Sequence, residues 1–402
     1  MIKKNYPAIY FLLSMLLLIS CSEESNPEFD IQTFTSIFDN NKFDASYFPI
    51  DMQQTPDGGY IILGGRKLTD SNFTGIYLLK SDKFGNFEKE IEVEATSVNP
   101  IAKFTEYQTK YYFFCMDPLT QQAQIANVDA NLEAVSITPV QGGLTYPAAA
   151  SFVDNNFVML GYNNGDKQTV ISILNPDGGI LASKGYSIGT GEDIEEPIIQ
   201  HYIRTGKQYP FEVGKALNGL YYFNGFFNYT FSLVFTDLTS DDPIGVVQGQ
   251  QDDGGFSAIT PLTGNKFASS RFNFGDNFLI PNKDISSNAI TSSTDLGGYS
   301  LPEMVPNAKV RILRATSDTK NVLVYGTDTK SKQIGLIYYE ETSGKFISSR
   351  YLGFSNPFEI ASVIQTSDEG LAVCGTTYLA GRFPRICIFK LSKEQFDGDV
   401  NK

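Results

Sequence analysis

The chain reads as an all-β protein tiled from one repeated unit of four antiparallel strands, and three observations carry that reading. First, a turn-and-strand motif, Gln54-Thr55-Pro56-Asp57-Gly58-Gly59-Tyr60-Ile61-Ile62-Leu63-Gly64, returns near the other end as Gln365-Thr366-Ser367-Asp368-Glu369-Gly370-Leu371-Ala372-Val373-Cys374-Gly375. Pro56 presets φ for the turn, Asp57 can bond the backbone that follows it, and Gly58 and Gly59 accept positive φ. Tyr60 to Leu63 is a short apolar run of strand formers that Gly64 stops. Second, five weaker copies lie between, at spacings of 46 to 63 residues. Third, 31 Phe, 22 Tyr and 35 Gly with only 19% charged residues is a strand-and-turn composition, not a disordered one. Repeats of about 50 residues holding four strands each predict a seven-bladed β-propeller, its last blade closed by an N-terminal strand.

In order along the chain, residues 1–20 read as a signal peptide. Lys3 and Lys4 form a basic n-region, and Phe11 to Ile19 is an apolar stretch too short to span a bilayer comfortably. Leu18-Ile19-Ser20-Cys21 follows at once. Residues 21–30, including Ser22-Glu23-Glu24-Ser25-Asn26-Pro27-Glu28, lack a core-forming pattern and read as a polar tether. Residues 31–396 are expected to form a single propeller domain, and 397–402 a C-terminal tail. No later stretch approaches 18 continuous apolar residues.

The seven buried strands begin at Tyr60, Tyr111, Phe157, Leu220, Lys266, Val322 and Leu371, the fifth being the poorest match. A strand precedes each turn, as in Phe48 to Met52 or Ile360 to Ile364. A third strand follows the next loop, as in Ile76 to Leu79, Val170 to Leu174 or Ile386 to Phe389. A turn such as Asp82 to Asn86 then leads to a more polar fourth strand, as in Phe87 to Val93 or Lys345 to Tyr351. The polarity gradient is physical: inner strands covered on both faces read as continuous apolar runs, while an outer strand alternates. The seventh copy stops after its third strand. Gln32 to Phe38, ahead of the first copy, is a spare strand, expected to complete that unit and remove two exposed sheet edges. A pair of β-sandwiches is the rival architecture, but sandwiches need no even internal repeat.

The Leu18-Ile19-Ser20-Cys21 stretch resembles the bacterial lipobox. With repeats of the TPDGGYIILG … YLLKSDKFGN kind, the chain resembles Bacteroidota outer-membrane or surface lipoproteins built on β-propeller repeats, over roughly residues 30–396. The resemblance implies that Cys21 is lipidated and becomes the mature N-terminus. Ser22 in second place is similar to lipoproteins sent to the outer membrane, and Glu23-Glu24 to surface-export signals. Periplasmic and surface-facing placements both stay open.

A formal charge of −14 repels phosphate backbones and argues against nucleic acid as a partner. Beyond Cys21, the chain has Cys115, Cys374 and Cys387. Cys374 and Cys387 fall on neighbouring strands, either bonded or as buried free thiols. No Cys/His cluster predicts zinc, and no cofactor is expected. His201 is the only histidine. No Ser/His/Asp spacing, GxSxG, HExxH or P-loop occurs. Asp129 to Glu133 imitates part of a calcium loop but lacks its glycine. Glu195-Glu196 and Asp252-Asp253 would serve a glycosidase only if they converged in space.

Loops leaving second strands and loops entering first strands should share one face. Two long segments, Glu192 to Phe211 and Asn273 to Pro306, concentrate there. Candidate binding residues in the same loop class are Arg66, Tyr162, His201, Phe226, Phe227, Tyr229, Arg271, Phe272, Tyr378, Arg382 and Phe383, because aromatics and Arg suit sugar faces and protein partners. The expectation is a membrane-anchored, non-catalytic propeller presenting a loop-rich face to a protein or a glycan. The alternative is a carbohydrate-active enzyme with acidic residues near the channel.

Overall fold

The first strands of the repeat set the layout. In the computed structural model, which describes residues 33–39, 46–318, 320–379 and 383–402, they are Tyr47–Gln54, Val98–Tyr107, Pro147–Val153, Glu212–Lys215, Gly254–Pro261, Val310–Thr316 and Phe358–Gln365. Each touches the next, and Phe358–Gln365 touches Tyr47–Gln54 again. The signal peptide, Cys21, the tether, Gln32 and Arg382 lie outside the described residues.

From each first strand an antiparallel sheet builds outward. In unit one the order is Tyr47–Gln54, Tyr60–Lys67, Thr74–Ser81, Phe87–Glu92. Unit two repeats it with Val98–Tyr107, Lys110–Met116, Ala123–Asp129 and Ser136–Pro139, and the single pair Gly75–Val98 joins the two into one large sheet. Phe34–Phe38 pairs antiparallel with Phe383–Leu391, the third strand of unit seven, from Phe34 opposite Lys390 to Phe38 opposite Ile386. Thr33–Lys402 form one compact unit.

The apolar runs are continuous because both faces of each sheet are covered. Along Tyr60 to Leu63, Ile61 and Leu63 pack with Phe104 and Phe113 of unit two. The alternate residues Tyr60 and Ile62 pack with Ala372 and Ile388 of unit seven. Successive strand side chains point to opposite faces, so one strand supplies two cores. Six further clusters include five of the same kind, between units two and three, three and four, four and five, five and six, and six and seven.

The repeated turn contains a partner that the sequence reading missed. Gly58 holds φ at +83°, the left-handed conformation that Gly tolerates best. Asp57 accepts from the Gly59 N–H and the Thr55 hydroxyl, and Lys80 Nζ from the third strand lies 2.8 Å from Asp57 Oδ2. Unit seven repeats this: Asp368 accepts from the Gly370 N–H and the Thr366 hydroxyl, and Lys390 Nζ lies 2.8 Å from it.

Three expectations need correction. The Asn273 to Pro306 segment is not one loop: Asp276–Asp284 is the third strand of unit five, and Ile290–Ser292 crosses to pair in parallel with Gly245–Gln248 of unit four. Pro281 and flanking polar residues hid a strand that tertiary burial of Leu279 and Ile280 stabilises. The Glu192 to Phe211 segment contains helix α1, Glu192–Tyr202. Third, the chain end is no simple tail. Helix α2, Lys393–Val400, starts at a Ser392/Gln395 capping box and buries Phe396 and Val400 in the core between units six and seven. Cys374 and Cys387 are both free. Cys374 opposes Ile388 and Cys387 opposes Gly375, so their side chains point to opposite faces of the sheet.

Candidate functional site

Antiparallel order brings the second-to-third turns and the connections into first strands to one face, and backbone bonds tie them together there. Tyr146 N–H donates to Gln121, Tyr229 N–H to Ile188, Phe274 N–H to Asp253, Lys330 N–H to Glu303 and Phe358 N–H to Lys332. This loop face carries α1. Three acidic residues in its first turn suit the positive end of the helix dipole. Ile194, Ile198 and Tyr202, four residues apart, form its buried stripe.

That stripe sits in a cluster drawn from five units: Leu68, Val98 and Met116, Tyr162, Phe226 and Phe231, and Phe272. The helix therefore crosses the loop face. Beyond it, Arg204 N–H donates to Asn72 O of unit one at 2.8 Å, and Asn99 Nδ2 of unit two donates to Tyr202 O at 2.7 Å. Tyr202 Oη donates to Tyr146 O at 2.6 Å. Lys207 is held by both Asp252 and Asp253.

Of the sequence candidates, Tyr162, Phe226 and Phe272 are brought together, buried beneath α1. His201 lies in α1 itself, its ring packed on Tyr202, Tyr209 and Phe211, with Nδ1 accepting from the Tyr209 N–H. Burial pushes its imidazole down to about 4. Phe227 packs edge-on against Tyr186. Arg66 reaches Val93 O and Glu92. Arg271 is buried, donates to Gly297 O and covers the Phe278 ring. Tyr378 bonds Glu359, and Phe383 is half-buried beside Arg385. Tyr229 is half-exposed at a turn tip. The pair Glu195-Glu196 does not act as a unit: Glu195 pairs with Lys167 and Glu196 accepts from Gln200.

A second group, absent from the sequence reading, surrounds the axis of the first strands. Lys103 comes from unit two, Glu212 from unit four, Lys309, Arg311 and Asp328 from unit six, and Glu359 from unit seven. Burial pushes the Glu212 carboxyl up to about 7, against the pull of Lys103 and Arg311. Asp328 is raised to about 6, again by burial first, against Lys309. Lys309 touches water, yet the protein around it, then Arg311, lowers its ammonium pKa. The carboxylates also join units: Glu212 accepts from Ile259 N–H of unit five, and Asp328 from Ile360 N–H of unit seven. No sequence motif marks these residues, because they converge only when separate units are assembled.

Two mouths of chemistry thus exist: an axial ring of mixed charge, and a loop face with apolar side chains left in solvent. Leu119 is 87% exposed, Phe274 71% and Phe354 89%. All three lie on second-to-third turns or on connections into a first strand.

No protein-family model matches the chain, and no curated protein matches it. Solved structures do. Raptor from Chaetomium thermophilum superposes with a TM-score of 0.51 at 12% identity, covering 86% of this chain and 28% of that one. The β-propeller domain of the Trilobed protease from Pyrococcus furiosus gives 0.49 at 8% identity, covering 88% of this chain and 98% of that domain. At such identities the likeness concerns fold alone. The repeated four-stranded antiparallel sheets, and the contact of each first strand with the next, support the β-propeller class.

Proposed function

We propose that this is a seven-bladed β-propeller, lipid-anchored through Cys21 in a bacterial outer membrane, whose loop face binds a protein or a glycan without catalysis. Supporting seven blades and closure are the cyclic contacts of the first strands and the pairing of Phe34–Phe38 with the third strand of unit seven. The lipid anchor rests on the lipobox-like Leu18-Ile19-Ser20-Cys21. The observation carrying the binding reading is the set of apolar side chains, Leu119, Tyr229, Phe274 and Phe354, held in solvent on one face. Tyr229 and Phe274 sit at positive φ, so the turns hold these rings at their tips.

Pull-down and glycan-array screening of residues 30–402, beside a Leu119→Ser/Phe274→Ser/Phe354→Ser variant, tests the binding face. Capture lost in the variant is the expected result; equal capture by both removes this face. Cys21→Ala should leave a folded protein in the soluble fraction. Its persistence with membranes would remove the anchor.

A second reading, a carbohydrate-active enzyme, is favoured by the two raised carboxyls near the axis, Glu212 and Asp328. Against it, both carboxylates already accept backbone N–H groups from the next unit. Hydrolysis of a glycoside panel that disappears in Glu212→Gln, with thermal stability unchanged, would favour the enzyme.

A further inference from the structure

We propose that a cavity between units two and three is a subsite for one uncharged sugar ring, an inference that rests on the glycan form of the binding reading above. The hollow follows from a single cross-strand row. Gly161, Val170 and Gly185 are neighbours on the second, third and fourth strands of unit three. Two of the three have no side chain; the Thr145 carbonyl closes over Gly161 and the Gln168 carboxamide over Gly185, and the cavity opens beside Val170. The segment Gly142 to Thr145, entering unit three from unit two, forms the opposite wall. Gly142 and Gly143 both hold positive φ there, which keeps that wall backbone rather than side chain.

The lining sets the ligand class. The cavity is ≈ 230 Å³, just under the roughly 300–1,000 Å³ of pockets for drug-sized ligands, so one small ring is the size that fits. No acidic or basic side chain lines it, in a chain of formal charge −14. A charged ligand would lose its hydration there with no counter-charge in return. Hydroxyl and carboxamide groups of Thr145, Ser183, Asn163 and Gln168 line it beside Met159, Val170 and Leu144; the first three also bond Tyr162 O, the Ser172 hydroxyl and Asp166, which leaves Gln168 the open one. Hydroxyls on a rim around C–H faces describe a pyranose. The Gln168 carboxamide has no hydrogen-bond partner among the described residues and lies over Gly185, where an added Cβ would meet its Oε1 at 2.2 Å. Tyr162, a sequence candidate, borders this cavity only through its place in the strand between Gly161 and Asn163; its ring lies on the other face of the sheet, under α1.

The test is saturation-transfer NMR and titration calorimetry on the full chain, with neutral hexoses, N-acetylhexosamines and uronic acids as probes. Expected is binding of at least one neutral saccharide at about millimolar Kd, in keeping with a single small ring, and none of the uronic acids. Gly185→Leu fills the hollow, displacing only the flexible end of Gln168, and should abolish binding. Gln168→Ala, which leaves the backbone untouched, should weaken it about tenfold, near the worth of one lost hydrogen bond. Absence of neutral-sugar binding, equal uronic-acid binding, or affinity unchanged in both variants overturns the subsite. If Gly185→Leu keeps glycan-array binding while the loop-face variant loses it, the subsite falls and the binding face stands. If neither glycan nor protein is captured by the wild-type chain, both fall.

Discussion

The Asp51 carboxylate accepts a hydrogen bond from the Ser362 hydroxyl at 2.5 Å, although 311 residues separate the two in sequence. Its oxygens also accept from the Met52 N–H and, at 2.9 Å, from the Phe104 N–H. One buried carboxylate thus ties units one, two and seven together where the two ends of the repeat meet. It sits beside an extra residue in the first strands of units one and seven: the register slips between Pro49 and Asp51 and between Ile360 and Ser362. Such bulges re-aim side chains and free backbone groups for outside partners.

Asp51→Ala should cost about 2–4 kcal/mol, because it strands buried N–H groups and a hydroxyl that water cannot reach. Urea denaturation measures it. Ser362→Ala should cost about 1 kcal/mol, and the double variant less than the sum of both. Strict additivity would show that the two residues are not coupled.

Deletion of residues 33–38 should lower stability by roughly 3 kcal/mol or more, taking about 1 kcal/mol per backbone hydrogen bond lost. It also bares the edge of Phe383–Leu391, so the variant should aggregate on heating. A midpoint and light-scattering trace identical to the full chain would contradict the role of this strand.

The turn lysines predict an acid-sensitive contribution. Partial burial opposes ionisation of Asp57, but hydrogen bonds from Lys80, Thr55 and Gly59 prevail and hold its carboxyl at about 2. Asp368 is lowered in the same way, with Lys390 the leading favourable partner. A depressed carboxyl supplies stability above its ordinary value, 3.8 for Asp57, and loses it as pH falls through about 2. Lys80→Met should therefore flatten the melting temperature against pH between about 4 and 2. An unchanged slope would mean that Asp57 gains nothing from Lys80.

Glu212 has the opposite sign. Its folded carboxyl, at about 7, binds the proton more tightly than the ordinary value of 4.5. Its contribution is full below pH 4.5 and is lost as pH rises through 7. Glu212→Gln should keep that contribution at pH 8, so the variant melts at or above the wild-type temperature there and loses the pH dependence near neutrality. A variant far less stable at pH 8 would show that the charged form is the one the fold needs.

Ile198→Ala, under α1, should cost about 2–4 kcal/mol if the helix is integral to the fold. Limited proteolysis distinguishes the alternatives. Early cuts between residues 188 and 211 with the rest intact mean a cap that lifts by itself; general degradation means a cap folded with the units.

The repeat was legible because each copy carries its own local physics. Asp57-Gly58-Gly59 dictates a turn whatever surrounds it, and Tyr60 to Leu63 reads as a strand covered on both faces. Even the strand that pairs with the last unit could be found, since the seventh copy lacks a fourth strand and Gln32 to Phe38 has the right pattern. The strand hidden in Asp276–Asp284 could not, because Pro281 and its polar neighbours carry no β signal and only burial between units selects it. The cap was legible in part: Glu192 to Tyr202 has an acidic start and an apolar spacing of four, but nothing local says that it lies across five units.

Charge at the axis belonged wholly to the tertiary structure. Lys103, Glu212, Arg311 and Glu359 are unremarkable in their own segments, and the raised carboxyl of Glu212 reflects burial first, then Lys103 and Arg311 from other units. The sequence alone determined the repeated unit and most of its strands, because hydrogen bonding and alternation act over a few residues. Which faces are sealed, which aromatics lie under a helix and which carboxyls keep their protons were decided only by assembly, because burial and Coulomb interactions depend on distance in space.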